Sequence, residues 1–221
     1  MHALELCNVS YTYQTQYQKV EALRSISTSF DQGKVYAIVG KSGSGKTTLL
    51  SLLAGLDLPS QGEVLCQGTP TSQVKLETYR REQVAVIYQN FRLFPLLTVE
   101  ENVMYPMELR GMKSKEARTK AQALIERVGL PEAVSQRFPT MLSGGEQQRV
   151  AIARALGMDT HILLADEPTG NLDTSNSENI FSLLQGLAHQ EGYCVILVTH
   201  DRVLAGKADQ VLELRDGQLV F

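Results

Sequence analysis

Eight consecutive residues constrain this chain more than any other feature. Gly40-Lys41-Ser42-Gly43-Ser44-Gly45-Lys46-Thr47 fits the pattern G-x-x-x-x-G-K-[ST] in full. It follows Val35-Tyr36-Ala37-Ile38-Val39, a continuous apolar run of the kind that forms a buried parallel strand. It precedes a Thr/Leu-rich segment that reads as a helix. Glycines let the backbone turn tightly and approach phosphates with no Cβ in the way. The exposed amides and the helix N-terminus direct partial positive charge at an anion. Gly40, Ser42, Gly43, Ser44, Gly45 and Thr48 are therefore expected to cradle a triphosphate. Lys46 is expected to reach the β- and γ-phosphates, and Thr47 to offer its hydroxyl to Mg²⁺, which prefers hard oxygen ligands. The motif specifies a nucleoside triphosphate and leaves the task open.

The same strand-then-polar-loop arrangement recurs at Val84–Tyr88, Ile162–Ala165 and Val195–Thr199, which predicts an α/β fold with a mainly parallel sheet. Leu4, Leu6 and Val9 begin a loosely alternating strand. Leu23 to Phe30 forms a second, with Ile26, Thr28 and Phe30 on one face, and the stretch Tyr11–Val20 reads as an irregular loop. At the end of the chain Val211–Leu214 and Leu219–Phe221 flank Asp216-Gly217, a hairpin signal. From about residue 99 to 156 strand-like alternation gives way to helical spacing: Ala117, Ala121, Leu124, Ile125 and Val128 recur before Gly129, and Val150–Leu156 continues a second helix. This block reads as a helical insertion into the α/β core. A helix after residue 174 presents Ile180, Leu183, Leu184 and Leu187 inward and ends near Gly192.

The apolar run Ile162–Ala165 ends in Asp166-Glu167, and carboxylates at a strand's C-terminal end sit where α/β sheets bind ligands. Asp166 is expected to hold Mg²⁺ through water, and Glu167 to polarise the attacking water as general base. Read without the phosphate loop, the pair also suits a helix N-cap.

Leu142-Ser143-Gly144-Gly145-Glu146-Gln147-Gln148-Arg149 supplies a second small-residue helix start with amides free for an anion. Here the sequence resembles the ATP-binding cassette (ABC) ATPases, whose signature reads LSGG followed by Gln or Glu. The match continues through Arg154-Ala-Leu. The resemblance implies a P-loop NTPase core with a mainly parallel sheet, an N-terminal antiparallel β subdomain and an inserted α-helical subdomain. The whole chain, 1–221, is then a single ABC ATPase domain, with its core at about 1–89 and 157–221 and its helical subdomain at about 90–156. It also implies head-to-tail dimerisation, in which the phosphate loop of one subunit and the signature of the other sandwich each ATP. Ser143, Gly144, Gly145 and Glu146 are thus expected at the nucleotide of a second ATPase subunit, most simply an identical copy. By the same resemblance Gln89 senses Mg²⁺ and the attacking water. Asp173, in Asn171-Leu172-Asp173, belongs to a loop that crosses to the partner, and His200 contacts the γ-phosphate. Tyr13 is the candidate for stacking on adenine, with Tyr11 and Tyr17 as rivals.

Below family level, Glu167-Pro-Thr-Gly-Asn-Leu-Asp173, Gln89–Val103 and the lengthened loop Tyr13–Glu21 are similar to the lipoprotein-releasing and macrolide- or antimicrobial-peptide-exporter ATPases. That subgroup pairs with a separate four-helix permease. Thr47 replaces a commoner Ser, which keeps the hydroxyl. The segment Gly157–His161 lacks the proline often found before the acidic strand.

Composition bears on the partner. No apolar run among the 221 residues approaches the ~18–20 a membrane span needs; Leu49–Leu56 is the longest candidate, and Ser51 interrupts it. The N-terminus has no basic-then-apolar secretion pattern, and Cys7, Cys66 and Cys194 fit neither a zinc site nor a disulfide framework. The expected location is the cytoplasmic face of the membrane, held peripherally by a transmembrane permease subunit. The net charge of −3 argues against nucleic acid as a partner, as does the spacing of about 50 residues between Gln89 and the signature, too short for a long coiled-coil insertion. The alternative is a non-transporting ABC ATPase that powers a mechanical or sensing membrane complex. Residues 106–154 carry nine basic and five acidic groups, and residues 155–221 three and ten. The basic block reads either as a docking face or as a solvated helical surface. Phe91, Phe94 and Leu96 read either as a permease-docking groove or as local core.

Overall fold

A computed structural model describes residues 2–14 and 17–220. The chain opens with two long antiparallel strands, β1 (Leu4–Gln14) and β2 (Lys19–Phe30), followed by the short buried strand β3 (Val35–Val39). The phosphate loop leads into α1 (Lys46–Leu53). Strands β4 (Gln61–Cys66) and β5 (Thr69–Pro70) and helix α2 (Leu76–Glu82) precede β6 (Val84–Tyr88). Three helices follow: α3 (Val99–Leu109), α4 (Ser114–Arg127) and α5 (Gly144–Gly157). The chain then runs through β7 (Ile162–Asp166), α6 (Thr174–Glu191), β8 (Cys194–Val198) and α7 (Arg202–Ala205) to the hairpin β9 (Gln210–Arg215) and β10 (Gln218–Val220).

The strands form two sheets. One is antiparallel, in the order β2-β1-β4-β5; the other runs β10-β9-β3-β8-β7-β6, with every pairing parallel except that of β9 with β10. The period-2 alternation of a strand divides the core of the parallel sheet between two layers. Tyr36 and Ile38, Ile162 and Leu164, and Ile196 and Val198 pack with α1 and the antiparallel sheet. Ala37 and Val39, Leu163 and Ala165, and Val195 and Leu197 pack with α3 to α6. A run such as Val35–Val39 is apolar at every position because both faces are covered.

The helical segment is tied together by two buried polar side chains. Asn102, fully buried on α3, accepts from the Phe94 amide and donates to the carbonyls of Phe94, Leu97 and Thr98, fixing the loop before its own helix. Glu100 is 2% exposed and receives Gln122 of α4, Gln136 and the Arg118 guanidinium. Among the described residues, no helix is long and apolar enough to cross a membrane.

Two expectations need correction, and one segment escapes sequence reading. Tyr11–Val20 is mostly strand, because β1 continues to Gln14 and β2 begins at Lys19, with Tyr13 opposite Val20. The strand expected at Val195–Thr199 is Cys194–Val198; Thr199 instead donates its amide to the Ile38 carbonyl. The segment between α1 and β6 contains β4, β5 and α2, which carry little periodic apolar signal: the first three residues of β4 are exposed. Phe221, read as part of the last strand, lies outside the described residues, as do Thr15 and Gln16 of the lengthened loop.

Candidate active site

Register places the site. In the parallel sheet Tyr88, Asp166 and Val198 stand side by side, and Ile38 pairs with Val198. The next residues along each strand are Gln89, Glu167, Thr199-His200 and the phosphate loop, so four strand ends deliver their polar residues to one edge. They line a cavity of about 840 Å³ that contains Tyr13, Gly40, Ser42, Gly43, Gly45, Lys46, Thr47, Thr48, Gln89, Asp166, Glu167 and His200.

The phosphate loop is shaped by close approach. Gly45 caps α1 at a φ of 105° with no side-chain cap, which leaves the first-turn amides of the helix facing the cavity. A Cβ there would lie 2.6 Å from the Ala22 carbonyl oxygen, and one on Gly40 would lie 2.3 Å from that of Leu214. Lys46 donates from Nζ to the carbonyls of Gly40 and Lys41, each at 2.9 Å, and so lies along the loop. Ser44 is buried and is not part of the cavity wall.

Asp166 is half-buried at the end of β7. Burial pushes its carboxyl above the usual carboxylate range, and the neighbouring Glu167 adds to this, while Arg92 and Lys46 pull the other way. Glu167 has a φ of 49° and donates its amide to the Val198 carbonyl, which turns its side chain toward β8. There Glu167 Oε2 meets His200 Nδ1 at 2.5 Å. Gln89 donates from Nε2 to Asn171 Oδ1 at 3.4 Å, and Asn171 Nδ2 donates back to the Gln89 carbonyl. The Thr47 hydroxyl, Asp166 carboxylate and Gln89 amide oxygen offer hard oxygen donors on one cavity, a set suited to Mg²⁺ beside a triphosphate.

The three tyrosines separate by their partners. Tyr13, 49% exposed, lines the cavity with its hydroxyl 3.1 Å from Thr48 Oγ1. Tyr11 donates to Asp57 Oδ2 and sets its ring edge-on to Tyr13 at 4.9 Å. Tyr17, 95% exposed, is not in the cavity wall. Sequence reading missed another part of that wall. Ala22 and Arg24 of β2 and the hairpin turn Asp216-Gly217 also face the cavity, with Gly217 donating to the Ser44 carbonyl and accepting from the Arg24 amide. The hairpin was legible, but nothing local in it reveals that its turn bonds to the phosphate loop at Ser44 and closes one side of the cavity.

The signature residues and Asp173 stand apart from this cavity. Ser143 caps α5 in a reciprocal box with Glu146, whose carboxylate accepts from the Ser143 amide and hydroxyl and is held below its usual pKa by those bonds. Gly144 packs against Leu172, and Gly145 leaves room for Asn176, where a Cβ would lie 2.8 Å from Oδ1. Asp173 caps α6 by accepting from the Asn176 amide and side chain. The chain thus has a nucleotide cavity at one place and a second helix start, joined to the Asp173 loop, at another.

Comparison with known proteins agrees with this geometry. The ABC transporter family (ABC_tran) matches residues 23–170. The lipoprotein-releasing system ATP-binding protein LolD of Saccharophagus degradans is 45% identical over 98% of this chain and 96% of its own length. The macrolide export ATP-binding/permease protein MacB of Hyphomonas neptunium is 41% identical over 98% of this chain but only 34% of its own length. Among solved structures, the dimeric bacterial ABC transporter cassette MJ0796 has a TM-score of 0.90 at 37% identity, covering 99% of this chain and 97% of that one. The same cassette is known in a post-hydrolysis state bound to ADP and Pi. The chain belongs to the ABC transporter family as one of its ATP-binding subunits, an ATPase that takes ATP with Mg²⁺.

Proposed function

We propose that this chain closes head to tail on a second copy of itself around two ATP–Mg²⁺ and drives a separate membrane permease that exports or extracts a peptide, lipoprotein or antibiotic. The observation that carries the dimer is the separation of the two anion-binding helix starts. The cavity with Lys46, Asp166, Glu167, Gln89 and His200 contains no signature residue, so one chain supplies half of each composite site. The permease and cargo classes rest on the likeness to LolD and MacB over nearly the whole chain. MacB carries a permease in the same chain, whereas LolD is matched over nearly its full length by this cassette alone. A helical insert at about 90–156, attached to the core through Gln89, is the element that passes the motion on. Phe94 and Leu96, 40% and 86% exposed, with Tyr105 beside Phe94, offer the apolar groove for the permease.

In the proposed reaction Glu167 takes a proton from water as it attacks the γ-phosphorus in line, and ADP leaves. Lys46 and His200 hold the γ-phosphate from one side, and Ser143 and Gly145 of the second copy from the other. Thr47, Asp166 and Gln89 would hold Mg²⁺, which would supply neutralisation of the phosphate charge. Loss of the γ-phosphate removes the bridge and the dimer opens.

Glu167→Gln tests this reading. The variant should lose turnover by at least about 100-fold, the scale of a missing general base, bind ATP as before, and form an ATP-dependent dimer in light scattering. A dimer of equal stability without nucleotide would contradict the bridge, and wild-type turnover would contradict the base. Co-purification of a polytopic membrane protein in detergent is the expected result for the full assembly; co-purified nucleic acid instead would overturn the transporter reading.

A further inference from the structure

Helix α5 begins at the signature and ends beside the turn that follows Gln89. Arg154 lies about 15 Å along the helix axis from Gly144. Its guanidinium donates from Nη1 to the Arg92 carbonyl at 2.6 Å and from Nη2 to the Phe91 carbonyl at 3.0 Å. The guanidinium carbon is 5.8 Å from the Phe94 ring, and burial pulls the pKa of the group below the usual arginine value. The two carbonyls belong to an unusual turn. Phe91 and Arg92 have φ values of 56° and 48°, two consecutive side-chain-bearing residues in the left-handed region. Such residues stay there only when surrounding contacts hold them. Arg92 in turn stacks over the Tyr88 ring at 3.8 Å, and the Phe91 amide donates to the Tyr88 carbonyl. Gln89 sits inside this clamp. At the far end of α5, Phe91 Cζ lies 3.8 Å from the place a Cβ on Gly144 would occupy, so the helix touches the same turn at both of its ends.

We propose that Arg154 is a positioning residue: its two-pronged hold on the Phe91 and Arg92 carbonyls ties the orientation of α5, set at the other end by Ser143–Gly145, to the placement of Gln89. Engagement of the signature with a phosphate then reaches the Mg²⁺ and water ligand of the same chain through one rigid helix. A lysine cannot reproduce this, because an ammonium is a point charge and does not span two carbonyls in a fixed fork. The inference rests on the assignment of Gln89 to Mg²⁺ and water.

The test is a double-mutant cycle on the full chain with Arg154→Lys and Gln89→Ala. Arg154→Met would leave both carbonyls bare and risks unfolding, so the lysine variant carries the experiment. Arg154→Lys should lower kcat about tenfold, leave KM for ATP within about twofold and raise the Mg²⁺ needed for half-maximal rate. Gln89→Ala should show the same signature. In the double variant the rate should fall no further than in Gln89→Ala alone, because coupled residues are non-additive. Multiplying effects would overturn the role of Arg154 while leaving that of Gln89 intact. A lowered Tm with unchanged kcat and Mg²⁺ requirement would also overturn it. Wild-type kcat and Mg²⁺ requirement in Gln89→Ala would remove the Gln89 assignment, and the Arg154 proposal with it.

Discussion

Asp166 occupies a place that works against its own charge. It is half-buried, it neighbours a second carboxylate, and both facts raise its pKa. A raised pKa means that the folded chain binds the proton more tightly than the unfolded one does. Stability is therefore lost as pH climbs from the ordinary carboxylate value through the raised one. Asp166→Asn removes that penalty together with the carboxylate proposed to hold Mg²⁺. The variant should melt higher than the wild type at pH 7 without nucleotide. The gain should shrink on acidification, as wild-type Asp166 becomes protonated, and Mg²⁺-supported ATP turnover should fall sharply. A thermal melt across pH, paired with an ATPase assay, checks both halves; an unchanged or lower Tm at pH 7 would count against the electrostatic account. At this scale much of the cavity was legible in the sequence, because Gly40–Thr47, Gln89, Asp166-Glu167 and His200 each follow a recognisable apolar strand. Tyr13 was not separable from Tyr11 and Tyr17, since the choice depends on Thr48 and Asp57, 35 and 46 positions away from Tyr13 and Tyr11.

At the level of elements, the helical segment shows what residue counting conceals. The basic excess in residues 106–154 suggested either a docking face or a solvated surface. Six of its nine cations have partners inside the molecule: Arg110 with the Met158 carbonyl, Arg118 with Glu100, Lys120 with Asp159, Arg127 with Glu191, Arg149 with the Val128 carbonyl and Arg154 with the turn at 91–92. Two of those partners, the Asp159 and Glu191 carboxylates, come from the acidic-rich final third, so a part of the charge asymmetry along the chain is an internal complement. A count of charges cannot reveal this, because each pair joins residues distant in sequence. Asn102 illustrates the same point for packing. Its one side chain holds four backbone groups of the loop that leads into α3, and it is fully buried. Asn102→Ala should destabilise the chain by about 3 kcal/mol, from several hydrogen bonds near 1 kcal/mol each with some relief by water at the loop. It should also speed amide exchange at Phe94 and Leu97 more than in β3 or β8. Uniform exchange across the chain, or a loss under about 1 kcal/mol, would mean that other contacts hold the loop.

In the proposed dimer the whole molecule is organised around a half-site. The parallel sheet aligns the reacting groups at one edge, α1 and the terminal hairpin close two sides of the cavity, and α5 carries the signature elsewhere. This arrangement has a consequence that no folded monomer with a complete site would share. Lys46→Ala damages the phosphate-loop half of a site and leaves its signature sound; Ser143→Glu places a negative charge at the signature and leaves the phosphate loop sound. Each variant alone should be inactive, since every site in its homodimer contains one damaged half. A mixed dimer segregates the damage, with both lesions in one composite site and none in the other. If pairing is random, half the dimers are mixed and each has one of its two sites intact, so an equimolar mixture should recover roughly a quarter of wild-type turnover if sites act independently. Recovery should follow the square of total protein concentration at the dilute limit, because an active site now requires two different chains. Turnover that stays at the level of the separate variants at every mixing ratio would argue against a head-to-tail composite site. Activity in either variant alone would show instead that its damaged half is dispensable.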